Sequence, residues 1–238
     1  MRYADLLDIC PKLETFTTRI PEELDSRFQL RSYAPHEIIR QKDSPLETIG
    51  ILLEGSFRVV NEFENGNVFM IEMNDAPSFV GEVALLARAS TTSVTIETVT
   101  DCRVAYLSAV DFDAWLRQDM ELLRSLSEHV AAKLYCSSYS RGERLFYSAK
   151  YVLLKYITRQ AESSGIRGAG RAVIGKTRQQ ISEEVGMTVK TINRILTKFG
   201  RDGLISMERG KVVLDACQYH RARQELKVYI SENRNGAK

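Results

Sequence analysis

The spacing of apolar residues changes character twice along this chain. Over residues 48–107 it has the short period of strands. Residues 48–61 (TIGILLEGSFRVVN) form a β-branched, apolar run broken by Gly55, and residues 67–73 (NVFMIEM) form another. Residues 93–98 (SVTIET) alternate strictly, and residues 102–107 (CRVAYL) follow at once. Runs of this length and period predict β-strands. Asn65-Gly66, between the first two, is the signal of a tight hairpin. Several short strands at regular spacing predict a small β-sandwich or barrel. Ahead of them, residues 3–30 read as helix.

From 111 to 147 the period is helical, with no Pro and a single Gly, Gly142. Met120, Leu123, Val130 and Leu134 fall near a heptad seam. Ser127 interrupts that seam, and it turns polar at Ser137, Ser138, Ser140, Arg141 and Arg144. A helix of this length exceeds what a small domain needs. The seam therefore predicts pairing with a second copy of the chain; packing on its own barrel alone is the other reading. Beyond it come a predicted amphipathic helix over 147–162, a flexible loop over 163–170 and a short strand over 172–174. Strands over 203–206 and 211–214, separated by 208–210, predict a β-hairpin wing.

Between these lies residues 176–196, KTRQQISEEVGMTVKTINRIL, which predicts helix, tight turn, helix. Ile181 and Val185 share one face of the first helix, and Ile192, Ile195 and Leu196 give the second its own apolar stripe. Gly186 falls where the first helix must stop, and Thr188 is placed to cap the second. Lys190, Thr191, Asn193 and Arg194 fall off the stripe and face outward. Such a face can hydrogen-bond base edges and phosphates in a major groove. A helical hairpin with a merely solvated charged face is the plainer alternative.

Charge favours the first reading. The whole chain is +2, but residues 1–147 hold 15 Lys/Arg against 23 Asp/Glu, a net of −8, and residues 148–238 hold 18 against 8, a net of +10. A basic half beside an acidic half implies a polyanionic partner for the former. With 238 residues there is room for two modest domains. No apolar run reaches a membrane span and no apolar block of a secretory signal opens the sequence, so the expectation is a cytoplasmic protein with no membrane partner. Cys10, Cys102, Cys136 and Cys217 are scattered without metal or cluster spacing and read as free thiols, with a redox role left open. His36, His129 and His220 read as surface or core histidines, not haem ligands. There is no Gly-rich phosphate loop, nucleophile elbow or metal-ligand set, so neither an enzyme nor a metal site is expected.

The order of parts resembles the Crp/Fnr family of bacterial transcription regulators. The residues that carry the likeness are Gly55 in ILLEGSFRV, Gly81-Glu82 in FVGEVALL, Thr177-Arg178-Gln179, and Thr191-Ile192-Asn193-Arg194-Ile195-Leu196. The resemblance implies an α+β chain with an N-terminal β-roll, a cyclic-nucleotide-binding-like jelly roll, over residues 1–110. A long dimerisation helix over 111–147 and a winged helix-turn-helix over 148–238 would follow. It implies a homodimer on a palindromic operator in double-stranded DNA, with RNA polymerase as a further partner. A protein-binding winged helix without DNA readout, and a cyclic-nucleotide-responsive regulator, are the alternatives.

The family's residues carry over in part. Arg194 matches the guanine-reading Arg, a fit for bidentate contact. Thr177, Arg178 and Gln179 match a phosphate-contacting helix start. Thr188, Thr191, Asn193 and Lys198 complete the implied DNA face. Lys190 stands where many members place a Glu that reads cytosine, and Val189 replaces an Arg or Ser, so a different half-site is expected. In the β-roll, Gly81-Glu82 and the neighbouring Val83 match the family's ribose-holding turn. The Arg-Ser pair that clamps a cyclic phosphate is Thr92-Ser93 here, with Arg88 a nearby substitute, and Ser137-Ser138 stand where members touch adenine. No cofactor is implied with certainty; a small effector of unknown identity, other than cyclic AMP, and the absence of any effector are both left open.

Overall fold

The computed structural model describes residues 1–17 and 19–235, with side chains except at 139–141, 143, 144, 168, 169 and 230–235. The chain divides into two compact units, Met1–Ser137 and Ser138–Lys238. Of the predicted polar seam, the side chains of Ser140, Arg141 and Arg144 lie outside those described.

The first unit contains eight strands: β1 (Gln29–Tyr33), β2 (Ile38–Arg40), β3 (Thr48–Glu54), β4 (Ser56–Glu62), β5 (Val68–Asp75), β6 (Ser78–Val80), β7 (Thr95–Thr98) and β8 (Cys102–Ser108). They form two antiparallel sheets ordered β1-β8-β3-β6 and β2-β7-β4-β5, a jelly-roll-like pair. β3 shows why its apolar run is unbroken. Ile49, Ile51 and Leu53 face a core shared with the helices, whereas Leu52 faces the core between the sheets. A strand covered on both sides has no polar face to alternate with.

Four helices belong to this part of the chain: α1 (Tyr3–Ile9), α2 (Glu82–Leu86), α3 (Ala109–Gln118) and α4 (Met120–Phe146). Tyr3, Leu6, Phe112, Leu122 and Leu126 close the helix side of the core around Trp115. The Trp115 ring meets Tyr3, Phe28 and Phe112 edge-on, and its Nε1 donates to the Arg19 carbonyl at 3.1 Å.

Two expectations need correcting here. Residues 3–30 are not one helical segment: α1 is followed only by a 3₁₀ stretch, Pro11–Thr15, and residues 29 and 30 already belong to β1. Pro11 cannot donate to a continuing α-helix. The helix expected over 111–147 is two helices. The Asp119 carboxylate accepts the amides of Glu121 and Leu122, both at 3.0 Å, and so caps α4 and ends α3. The compact units meet inside α4, at Ser137/Ser138. The reason is that α4 buries Leu122 and Leu126 in the β-roll's own core.

The second unit is built from α5 (Ala149–Ser163), α6 (Ile166–Ala169), β9 (Arg171–Ile174), α7 (Arg178–Val185), α8 (Val189–Arg201), β10 (Ser206–Glu208), β11 (Lys211–Asp215) and α9 (Ala216–Asn235). Its sheet runs β10-β11-β9. Leu153, Leu154, Ile157, Ile181, Ile192, Ile195, Phe199, Val212 and Leu214 form one core. The loop expected over 163–170 contains the single-turn α6, pinned by buried Ile166. The first wing strand starts later than expected, at Ser206, because Leu204 and Ile205 are drawn into the core.

Candidate nucleic-acid interface and β-roll site

Local chemistry builds the helix-turn-helix. Thr177 caps α7 through a reciprocal box: its hydroxyl accepts the Gln180 amide, and Gln180 Oε1 accepts the Thr177 amide at 2.8 Å. Gly186 ends the helix at φ 67°, a left-handed conformation that a side chain would strain. Thr188 then caps α8, accepting the Thr191 amide at 3.3 Å. Ile192, Ile195, Leu196 and Phe199 are buried, which fixes the opposite face outward.

That outward face carries Lys190, Asn193, Arg194, Thr197, Lys198 and Arg201, all exposed. Their spacing places them along one helical stripe. Thr197 and Arg201 extend the predicted set by a turn, and continuing the period would have found them. Lys150, at the start of α5, also belongs to this surface: the nearby Lys198 ammonium holds its pKa below the ordinary lysine value. No signal in the sequence links positions 48 residues apart. Thr177, Gln179 and Thr188 are exposed as well, with Gln179 Nε2 donating to Glu183 at 3.0 Å. Val189 and Thr191 are half-buried, and the Thr191 hydroxyl meets that of Thr188 at 3.0 Å.

Arg178 is held differently from an open phosphate-seeking arm. Its Nη2 donates to the Gly210 carbonyl in the wing turn at 3.2 Å and touches Met207 Sδ at 3.5 Å. Its Nη1 is enclosed without a partner, and burial lowers its pKa. The residue thus ties the start of α7 to the wing.

In the β-roll, Gly81 begins α2 at φ 95°. A Cβ there would come within 3.0 Å of Leu46 Cδ1, so the turn needs glycine on both counts. Glu82 is buried, and its carboxylate accepts from Lys133 Nζ of α4 at 2.9 Å; the same ammonium reaches Glu72 of β5 at 2.9 Å. Burial alone would lower the Lys133 pKa, but Glu82 and Glu72 together hold it above the ordinary value. Beside it His129 packs edge-on against Phe16 and Phe79, and burial, aided by Lys133, depresses its pKa.

The 43–48 loop joins the turn to the segment where the family places its clamp. Leu46 packs on Gly81 and its amide donates to Ser90, while the Thr92 amide donates to Ser44. Thr92 is buried, its hydroxyl donating to the Gln41 carbonyl at 3.0 Å. Val83, Arg88 and Ser93 are exposed. The Ser137 hydroxyl donates to Leu134 of its own helix, and Ser138 is exposed at the start of the second unit. Clefts of about 460 Å³, lined by residues such as Glu37 and Arg103, and about 600 Å³, lined by residues such as Arg167 and Lys227, are lined by none of these side chains.

On α4, Leu122 and Leu126 are buried in the β-roll core, whereas Met120 and Leu134 are 71% and 64% exposed and Leu123 and Val130 are half-buried. Of the predicted seam, Leu123 packs against the β-roll core, whereas Met120 and Leu134 lie open on the helix surface.

Known proteins share this arrangement. Residues 30–119 match the cyclic nucleotide-binding domain family and residues 151–218 match the Crp-like helix-turn-helix domain. The chain belongs to the Crp/Fnr family of transcription regulators. It is 24% identical over 190 residues to the cAMP-activated global transcriptional regulator CRP of Salmonella typhimurium, covering 79% of this chain and 90% of that one. A CRP-like cAMP-activated regulator of Mycobacterium tuberculosis is 22% identical over 172 residues, 71% and 76% of the two chains. Among solved structures, the c-di-GMP responsive regulator CLP of Xanthomonas campestris superposes with a TM-score of 0.71 at 18% identity, covering 80% and 95%. A Crp/Fnr-family regulator of Thermus thermophilus gives 0.64 at 21% identity, covering 82% and 98%. The relatives are transcription regulators, not enzymes, and the C-terminal unit is a DNA-binding helix-turn-helix. Among the described residues no helix is long and apolar enough to cross a membrane, and no cluster of His, Cys, Asp or Glu could hold a metal ion.

Proposed function

We propose that this regulator acts in the cytoplasm as a homodimer, paired along Met120, Leu123, Val130 and Leu134 of α4, and reads a palindromic operator with α8. The observation that carries the reading is the outward stripe Lys190, Asn193, Arg194, Thr197, Lys198 and Arg201, set on a helix whose other face is locked in the core. Arg194 suits guanine, and Lys190 can only donate, so it favours an acceptor on the base edge or a phosphate. Thr177, Gln179 and the α7 amides suit the backbone, and Arg178 sets the wing against them. RNA polymerase is the partner that a DNA-bound regulator of this family would address.

A small effector in the β-roll would bias the helices that lead to the DNA-binding unit. Although relatives are described as cAMP-activated, cyclic AMP does not suit this roll: Thr92 offers no charge to a cyclic phosphate, and Glu82 is already engaged by Lys133. Selection of bound DNA from a random pool tests the reading. The expected product is a palindrome with half-sites about one helical turn apart, bound by a dimer with affinity falling steeply as salt rises. A monomer in solution, or binding indifferent to salt, would refute it. Calorimetry should show no heat with cyclic AMP or cyclic GMP; a saturable signal would restore the cyclic-nucleotide reading.

A further inference from the structure

We propose that the β-roll holds the anionic group of its effector on Arg40. The inference rests on the effector-gated reading above and adds the effector's chemistry: a small molecule bearing an oxyanion, carboxylate or phosphate.

Arg40 ends β2 in one sheet, and its guanidinium crosses to the start of β3 in the other. Nη2 donates to the Thr48 carbonyl at 2.6 Å and the Thr48 hydroxyl at 3.1 Å, and Nη1 reaches the Pro45 carbonyl at 3.3 Å. The residue is 9% exposed, and its Nε is enclosed with no partner. Among the described residues no carboxylate forms an ion pair with it; Tyr106, Tyr33 and the exposed Glu47 act on it only through space. Burial also pushes its pKa down. A guanidinium removed from water and held only by neutral oxygens is costly, and a bound oxyanion lowers that cost.

Its place is beside the missing clamp. The Thr48 carbonyl that Nη2 holds lies 3.6 Å from where a Gly81 Cβ would be, so the guanidinium borders the Gly81–Glu82 turn. On the other side, the Thr92 hydroxyl bonds the carbonyl of Gln41, the residue next to Arg40. The charge absent at position 92 is supplied from the adjoining strand. Lys133, the half-buried cation at the turn, is already held between two carboxylates, and Arg88 is exposed. An oxyanion would displace the longer bond to Pro45 and, with that enclosure opened, take the bare Nε–H as a charge-assisted bond.

Trp115 is the chain's single tryptophan and sits in the first unit's core, so its fluorescence reports unfolding of the β-roll. Full-length protein is unfolded in urea in potassium phosphate, potassium acetate or potassium chloride at equal ionic strength. The expected result is a saturable rise in the Trp115 midpoint with phosphate, acetate or both over chloride. Arg40→Gln should weaken the apparent anion affinity at least tenfold, and Arg194→Ala on the DNA face should leave it at the wild-type value. Arg40→Lys keeps the charge but lacks Nε, and should also lose affinity. No rise in the wild type, or the same rise in both Arg40 variants, which is the signature of an adventitious ion only, would overturn the proposal. Operator binding by the wild type in chloride is scored separately, so a failure of the regulator reading and a failure at Arg40 give different results.

Discussion

Arg194→Ala is the sharpest test of how α8 reads DNA. Arg194 is exposed, and among the described residues its side chain makes no hydrogen bond or ion pair within the protein. Truncation therefore removes little from the folded state, and stability should stay within the small range of a surface substitution, about ±0.5 kcal/mol. The loss should fall on one base pair per half-site. A bidentate Arg–guanine contact discriminates by about 1–3 kcal/mol. A dimer uses it twice, so the selected operator should weaken by about 2–6 kcal/mol, roughly 30- to 10⁴-fold. Operators symmetrically altered at that base pair should weaken far less. Arg178→Ala is the contrast, because its guanidinium holds the Gly210 carbonyl and lies against Met207. It should lower stability by about 1 kcal/mol for the bond lost, and weaken every operator alike. Fluorescence anisotropy on the selected operator and its single-base variants, with a thermal melt of each protein, reads both quantities. A uniform loss for Arg194→Ala, matching that of Arg178→Ala, would refute the division between base reading and positioning.

Other consequences are direct. Leu134→Glu places a charge on an exposed seam position of α4 and should shift sedimentation toward monomer without a change in Trp115 fluorescence; an unaltered dimer would remove the seam. Phe199→Ala empties a fully buried site in the second unit's core and should cost about 3–5 kcal/mol, with DNA binding lost and the Trp115 transition kept; equal loss at Trp115 would show that the two units do not unfold separately. His129 has a folded pKa below its ordinary 6.5, so the unfolded chain binds the proton more readily. β-roll stability should be intact above pH 6.5 and decline as pH falls below it, toward the lower folded value. His129→Gln should flatten that decline, and an unchanged pH profile in the variant would exclude this histidine as its source.

What the sequence determined by itself was local. The apolar stripe of α8, the stop at Gly186, the caps at Thr177 and Thr188 and the central strands follow from spacing and residue chemistry within a few positions. The outward DNA face followed too, because a helix with a buried stripe leaves only one other side. Tertiary structure decided the rest. β1 shows no alternation in its burial, so only its pairing with β8 makes it a strand. The break at Asp119 depends on a carboxylate turning onto two amides, which the helical period across it conceals. Lys150 joins Lys198, and Lys133 joins Glu72 and Glu82, across 48 to 61 residues that carry no trace of the contact. Arg40 gains its bonds to Pro45 and Thr48 only when β2 and the start of β3 meet. Burial and counter-charge are properties of packed surfaces, and a chain acquires them only when distant segments meet.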